Sequence, residues 1–173
     1  MRKVILQLAV SLDSFIEGPN GEFDWCFNDG DDYGMTDFLK RIDTIFIGRK
    51  TYELTLSMGG SAPPGFPVLK EYVFSNTLDK AEGDRILIKG NIVEEVRKLK
   101  NEPGKDIWLF GGASLTTTFI NNKLVDEMAL AVHPIILGAG KPLFQHISKR
   151  IPLKLLGTQT YNSGLVMMTY GFF

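Results

Sequence analysis

The architecture of this chain follows from one run, Ile107-Trp108-Leu109-Phe110-Gly111-Gly112-Ala113-Ser114. Four large apolar residues are typical of a strand buried on both faces, the two glycines make a sharp turn, and a helix begins after them. The same order of strand, glycine and helix start occurs earlier, as Ile45-Phe46-Ile47-Gly48-Arg49-Lys50-Thr51. Strands that alternate with helices in this way indicate a parallel α/β sheet.

The rest of the chain extends this pattern. Strands are expected at residues 3–11, 44–47, 71–74, 85–88, 106–110, 124–132, 153–160 and 165–170, helices at 35–42, 49–56, 92–100 and 113–120, and loops at 17–34 and 138–142. Asn91 suits the N-cap of the third helix, and the last two strands form a hairpin around a turn at 161–164. The sequence therefore predicts a single α/β domain over residues 1–173, with a mostly parallel sheet of about eight strands, about four helices and a C-terminal antiparallel hairpin.

Composition excludes several functional classes. The 19 Lys and Arg nearly balance the 20 Asp and Glu, so the broad basic surface of a nucleic-acid binder is not expected. No apolar run approaches the roughly 20 residues that span a bilayer. Cys26 is the only cysteine, which rules out an internal disulfide and favours the reducing cytoplasm. The two histidines, His133 and His146, lack metal-ligand spacing, so no metal is expected.

The two glycine turns are candidate phosphate sites. A helix N-terminus presents unpaired N–H groups and a positive dipole end, and glycine lets a ligand approach the backbone closely. Taken alone, either turn is explained equally well by a phosphate site and by a structural corner in an α/β protein that binds no ligand there. Two such turns, one carrying Arg49 and Lys50, favour a dinucleotide with an additional 2′-phosphate. Ser75 and Asn76 could add contacts, whereas a complete P-loop and a G-x-G-x-x-G fingerprint are both absent.

These motifs, with the opening Leu8-Ala9-Val10-Ser11-Leu12-Asp13, resemble the dihydrofolate reductase superfamily. The closer likeness is to the C-terminal reductase domain of bifunctional riboflavin-biosynthesis deaminase–reductases, and it extends to residues 18–21, 24–25 and 133–144. The resemblance implies a dihydrofolate reductase-like fold and NADPH as reductant. It also implies hydride transfer to a small heterocyclic or ribosylamino-pyrimidine substrate, as in 5-amino-6-(5-phosphoribosylamino)uracil reduction. The alternatives are dihydrofolate reductase activity and a non-catalytic NADP(H)-binding module.

The resemblance also assigns cofactor contacts. Ala9 and Ile16 would line the nicotinamide pocket. The residues implied to hold the phosphates and the adenine ribose are Gly48, Arg49, Lys50, Thr51, Phe74, Ser75, Asn76, Gly111, Gly112, Ala113, Ser114 and Leu115. This set includes both glycine turns that the residues themselves single out.

The substrate side is less defined in the sequence. Asp32 and Asp37 are candidate catalytic acids, but acids at the start of a helix also stabilise its dipole without any catalytic role. Asp13 is a third candidate; it either positions substrate or caps a turn, and Ser14 stands where the related proteins have glycine.

Two further residues are candidate substrate contacts. Trp25 belongs to an aromatic loop that would exclude water or simply pack, and His133 would contact substrate or be a satisfied structural histidine. The apolar residues 165–170 and 172–173 would be buried either in a homodimer or in the core.

Overall fold

The computed structural model of the chain describes residues 1–27, 30–60 and 65–173. The strands within these ranges are β1 (Val4–Ser11), β2 (Phe15–Glu17), β3 (Ile42–Gly48), β4 (Lys70–Phe74), β5 (Ile86–Ile88), β6 (Asp106–Gly111), β7 (Glu127–His133), β8 (Lys141–Pro142), β9 (Leu153–Thr160) and β10 (Val166–Phe172). The helices are α1 (Met35–Arg41), α2 (Arg49–Ser57), α3 (Ile92–Asn101) and α4 (Ala113–Asn121). Asn91 caps α3 as predicted, since its side chain accepts a hydrogen bond from the Glu94 amide.

Eight strands form one sheet in the order β5-β4-β3-β6-β1-β7-β10-β9. The six strands from β5 to β7 run parallel to one another, and β10 is antiparallel to both β7 and β9. The predicted α/β fold, with its mostly parallel sheet and closing hairpin, is confirmed. Because neighbouring parallel strands end at the same edge, the C-terminal ends of β4, β3, β6, β1 and β7 lie side by side.

Helices cover both faces of this sheet. On one face Leu6, Phe46 and Leu109 pack against Val96 of α3 and Phe119 of α4, and all five side chains are fully buried. This larger core explains why the central strands have almost continuous apolar sequences.

The opposite face carries α1 and α2. Phe38 of α1 meets Trp108 edge to face, with ring centroids 5.3 Å apart. Tyr52 of α2 packs with Ile47 and Val73 in a second, smaller cluster. The candidate site described below lies on this face, where packing is less complete.

The prediction of loops at 17–34 and 138–142 was wrong at the ends of these segments, because β2 and β8 pair as a separate antiparallel ribbon. A Cβ at Gly140 would lie 2.1 Å from the Glu17 carbonyl oxygen, so only glycine permits the two segments to come this close. Strands of three and two residues, formed between segments far apart in the chain, leave no periodic pattern in the sequence.

Within residues 1–27, 30–60 and 65–173, none of the helices combines the length and apolar character that crossing a bilayer requires.

Candidate active site at the carboxyl edge of the sheet

The two glycine turns lie against each other. β3 and β6 are neighbours, and Ile47 is in register with Gly111. A Cβ at Gly48 would lie 3.5 Å from the Gly111 oxygen and 3.9 Å from the Gly112 nitrogen. The Gly112 amide also donates to the Thr51 hydroxyl at 3.1 Å, which ties the start of α4 to the first turn of α2. The two predicted phosphate sites are therefore one continuous corner at the edge of the sheet.

Both helices that begin at this corner have uncapped N-termini. Gly48 and Gly112 are the N-cap residues of α2 and α4, neither makes a side-chain cap bond, and neither helix has an acidic residue in its first turn. Elsewhere the helix starts are satisfied, by Asn91 at α3 and by Asp32, which accepts from the Thr36 amide at α1. The corner therefore presents free N–H groups and two dipole ends that favour an anion.

The glycines of the corner have different physical roles. Gly111 has φ +108°, which strongly favours glycine, and the peptide that joins it to Gly112 is cis. Gly48 has φ −82°, which any residue adopts, so its backbone does not require glycine. Without a side chain, Gly48 leaves the start of α4 uncovered, because a Cβ there would contact the Gly111 oxygen and Leu115 Cβ and come within 3.9 Å of the Gly112 nitrogen. An uncovered helix start suits a ligand phosphate.

Two cations begin α2. Arg49 pairs with Glu53 at 2.8 Å, and both side chains are well exposed. Lys50 is also exposed. Cations at a helix N-terminus oppose the dipole, so their placement suits a neighbouring anion such as a 2′-phosphate.

Residues 74–76 follow β4 beside this corner. Phe74 is in register with Gly48 and is buried. The Ser75 hydroxyl accepts from the Thr77 and Leu78 amides, and the Asn76 side chain accepts from the Gly90 amide at 2.9 Å. These side chains shape the turn, so contacts of this segment with a ligand stay a prediction.

Across the sheet, β1 and β7 carry the predicted nicotinamide and substrate residues. Ala9 is in register with Ala131, and Ser11 with His133. Ile5 is in register with Trp108, so the alternation of side chains puts Ala9, Ser11, His133 and Trp108 on one face of the sheet. Ile16, by contrast, packs against the larger core.

His133 is the centre of an aromatic cluster. The centroid of its ring lies 5.4 Å from the ring centroid of Trp25 and 4.8 Å from that of Phe27. The cluster continues from Phe27 through Tyr33 to Tyr161. Burial lowers the pKa of His133, so the imidazole is neutral at pH 7. The structure thus brings together the two predicted substrate contacts, Trp25 and His133.

Several buried polar atoms of this cluster have no hydrogen-bond partner among the described residues. They are Trp25 Nε1, His133 Nδ1 and the Tyr161 hydroxyl. An unpaired buried polar group costs free energy, so three in one cluster indicate capacity to bind a ligand with complementary polar groups.

The three candidate acids have local partners. Asp13 accepts from the Ser11 hydroxyl at 2.7 Å and from the Leu137 and Gly138 amides, and these bonds hold its pKa below the ordinary value. It therefore caps the segment after β7, which was one of the two roles predicted for it. A lowered pKa is the opposite of what a proton donor needs at neutral pH.

The other two acids belong to the start of α1. Hydrogen bonds from the Thr36 hydroxyl and amide lower the pKa of Asp32, and Asp37 pairs with Lys40 at 2.7 Å on the surface. Both therefore have the helix-stabilising role that the sequence offered as the alternative, and a catalytic role for either stays a prediction.

A cavity of about 340 Å³, which the sequence did not predict, lies against β3 and β6. Its walls include Ile45, Ile47, Trp108 and Phe110. Phe110 directly precedes Gly111 and keeps 37% of its surface exposed, although it sits in a central strand. Two bulky aromatic residues on the same face of β6 were the available signal, but alternation alone does not distinguish a cavity wall from a buried core.

The chain is similar to known proteins over nearly its whole length. The chain matches the family model described as the RibD C-terminal domain over residues 2–167. It is 51% identical to the uncharacterized protein YyaP of Bacillus subtilis (strain 168) over 181 aligned positions, which cover 98% of this chain and 94% of that one.

Solved structures show the same fold. A "putative riboflavin biosynthesis protein" from Shewanella sp. PV-4 superposes with a TM-score of 0.87 at 26% identity, covering 99% of each chain. Dihydrofolate reductase from Enterococcus faecalis, complexed with NADP(H), superposes with a TM-score of 0.72 at 16% identity, covering 98% of this chain and 96% of that one. The chain has a dihydrofolate reductase-like fold and belongs to the RibD C-terminal domain family.

Proposed function

We propose that the protein is an NADPH-dependent oxidoreductase that reduces a small heterocyclic or ribosylamino-pyrimidine compound. The observation that carries this proposal is the pair of adjoining, uncapped, acid-free helix ends at Gly48 and Gly112. The family supports an oxidoreductase, and a fold neighbour is described in complex with NADP(H).

In this proposal the corner holds the cofactor phosphates. The free amides at the starts of α2 and α4 would bind the pyrophosphate, and Thr51 fixes the spacing of the two helix ends through the Gly112 amide. Arg49 and Lys50 would bind the 2′-phosphate, with Arg49 released from Glu53. NADPH supplies the hydride when bound, and the chain contributes binding, orientation and exclusion of water.

The substrate would lie on the face shared by Ala9, Phe110 and His133. Ala9 has a small side chain, and neutral His133 with Trp25 offers polar atoms that have no partner among the described residues. The aromatic cluster would limit access of water to the reacting atoms.

Cofactor choice gives the sharpest test of this function. We expect the double substitution Arg49→Ala and Lys50→Ala to raise the Kd of NADPH at least tenfold and to leave the Kd of NADH within about twofold, since only NADPH carries the 2′-phosphate. Fluorescence titration of the reduced nicotinamide measures both. Arg97→Ala with Lys98→Ala, an exposed pair on α3, is the control with the same change in net charge. Equal losses for both cofactors would remove the argument for NADPH.

Turnover is tested by following nicotinamide absorbance while ribosylaminopyrimidines, pterins and dihydrofolate are added in turn. Oxidation of NADPH that depends on a ribosylaminopyrimidine supports the proposed reductase. Oxidation of NADPH by dihydrofolate alone supports dihydrofolate reductase activity. Saturable NADPH binding without oxidation by any of these compounds would favour a binding module.

We further propose that the protein forms a homodimer through β9. This strand is an edge of the sheet, seven of its eight residues are exposed, and Leu155 and Leu156 each expose half of their surface. β10 is paired on both sides, and Tyr170 and Phe172 pack against the core. Sedimentation velocity should show a dimer that Leu155→Lys converts to a monomer; a monomer in the unmodified protein would contradict the proposal.

A further inference from the structure

The cavity beside the glycine corner has an apolar lining. It lies on the face of the sheet that carries α1 and α2, and it is bounded by Ile45, Ile47, Phe66, Leu69, Trp108 and Phe110. Ile47 and Phe110 directly precede Gly48 and Gly111, so one end of the cavity lies one residue from the corner where the cofactor is proposed to bind. A substrate that meets the cofactor there would place its substituent in this cavity.

The cavity offers no unpaired cation among its described lining residues to an anionic substituent. Arg85 is the single cation among the described residues that line it, and its charge is paired with that of Glu71, which also lines the cavity. The guanidinium donates to Glu71 at 2.5 Å, to the Gly60 carbonyl at 2.7 Å and to the Glu82 carbonyl at 3.4 Å. Residues 61–64 contain no Lys or Arg in the sequence.

The opposite end of the face is also without a free cation among the described residues. His133 is neutral there, because burial lowers its pKa. Burial, and to a smaller extent the charges of Asp31 and Asp32, raise the pKa of Tyr161. These two carboxylates are therefore close enough to put negative charge near the aromatic cluster. Lys141, on the neighbouring ribbon, pairs with Glu17 at 2.9 Å.

We propose that the substrate is an uncharged or cationic flat heterocycle whose substituent carries neither phosphate nor carboxylate. This inference rests on the proposed reductase function and narrows its substrate class. Moving a phosphate or carboxylate out of water without a partner cation is strongly unfavourable, whereas apolar groups gain from burial against Ile45, Trp108 and Phe110. The 5-phosphoribosylamino group of the riboflavin-pathway substrate and the glutamate of dihydrofolate both fail this criterion.

The experiment compares two matched pairs of compounds on the NADP⁺-loaded protein. One pair is a ribosylaminopyrimidine with and without its 5′-phosphate, and the other is dihydrofolate and 6-methyl-dihydropterin. Calorimetry gives the affinities, and NADPH oxidation gives kcat/KM where turnover occurs. We expect the uncharged member of each pair to bind at least tenfold more tightly than the anionic member.

The outcomes separate this inference from the function on which it rests. Equal or tighter binding of the anionic members overturns the substrate class and leaves the reductase intact. Failure of both uncharged members to bind a protein that does bind NADPH overturns it as well. Absence of NADPH binding instead removes the proposed function itself.

A cation added at the cavity rim tests the location directly. Val68 lines the cavity and is fully exposed, so Val68→Lys introduces an ammonium group without disturbing the core. It should raise the affinity of the phosphorylated ribosylaminopyrimidine relative to its unphosphorylated partner about two- to fivefold, the size of one exposed ion pair. Val68→Gln, similar in length but uncharged, should leave this ratio as in the wild type. An identical ratio in both variants would show that the substituent lies elsewhere.

Phe110 provides a second test of the location. Phe110→Ala should weaken binding of 6-methyl-dihydropterin at least fivefold by removing an apolar wall. Phe173→Ala, the same change at a side chain that is 81% exposed, is the matched control. Unchanged affinity in Phe110→Ala, with NADPH still bound, would contradict a role for the cavity.

Discussion

Substituting Gly48 by alanine separates the role of the glycine corner in cofactor binding from its role in folding. At φ −82° alanine adopts the backbone without strain, and its Cβ would meet the Gly111 oxygen at 3.5 Å and Leu115 Cβ at 3.6 Å, which are ordinary contacts. Replacing a glycine N-cap by alanine costs less than about 1 kcal/mol, so Tm should change by no more than about 4 °C.

The same methyl group would cover the start of α4, since it lies against Gly111 and Leu115 and within 3.9 Å of the Gly112 nitrogen. It would displace a bound phosphate from at least two backbone amides, and charge-assisted hydrogen bonds contribute about 1.5–3 kcal/mol each. We therefore expect a loss of about 3 kcal/mol in NADPH binding, roughly 100-fold in Kd.

Fluorescence titration with NADPH and a parallel thermal melt measure the two effects of Gly48→Ala. Gly157→Ala on β9, where no atom lies within 4 Å of the added Cβ, is the control for NADPH affinity only, because β9 is the proposed dimer interface. An NADPH Kd within threefold of the wild-type value, together with an unchanged Tm, would refute the assignment of the corner as the phosphate site.

Three further predictions concern single side chains. Glu53→Gln frees Arg49 from its exposed ion pair and should lower the Kd of NADPH about two- to fivefold while leaving the Kd of NADH unchanged. Titrations with both cofactors measure this difference. An unchanged Kd for NADPH would mean that Arg49 does not reach the cofactor. Burial lowers the pKa of His133, so the unfolded chain binds a proton below about pH 6.5 that the folded protein does not, and stability is lost as the pH falls through that range. The Tm of His133→Gln should therefore fall less than the Tm of the wild type between pH 7.5 and 5.5. Equal decreases in Tm would show that His133 does not cause the loss of stability at low pH. Burial, with a smaller contribution from Asp24, raises the pKa of Cys26 to about 11. Alkylation of this thiol at pH 8 should therefore be roughly 100-fold slower than alkylation of a free cysteine. Comparable alkylation rates would contradict the buried environment of Cys26.

The division of the chain into strands and helices was predictable because buried parallel strands are continuously apolar and are followed by glycine turns. Ile107–Gly112 and Ile45–Gly48 carry this signal directly. The short β2–β8 ribbon was not predictable, since its pairing depends on the contact of Gly140 with Glu17, distant in the chain.

Some features of the candidate site were likewise predictable from the sequence, and others were not. Two glycine-capped helices after buried strands, one of them beginning with Arg49 and Lys50, could be read from the residues alone, because turn chemistry and charge are local properties. The fold was needed to show that the two corners touch and that His133 joins Trp25 within an aromatic cluster. It was also needed to show that Phe110 faces a cavity with no unpaired cation among its described walls. These relations depend on strand order and on which face of the sheet each side chain occupies, and the order of neighbours in a sheet is set by packing across the whole chain.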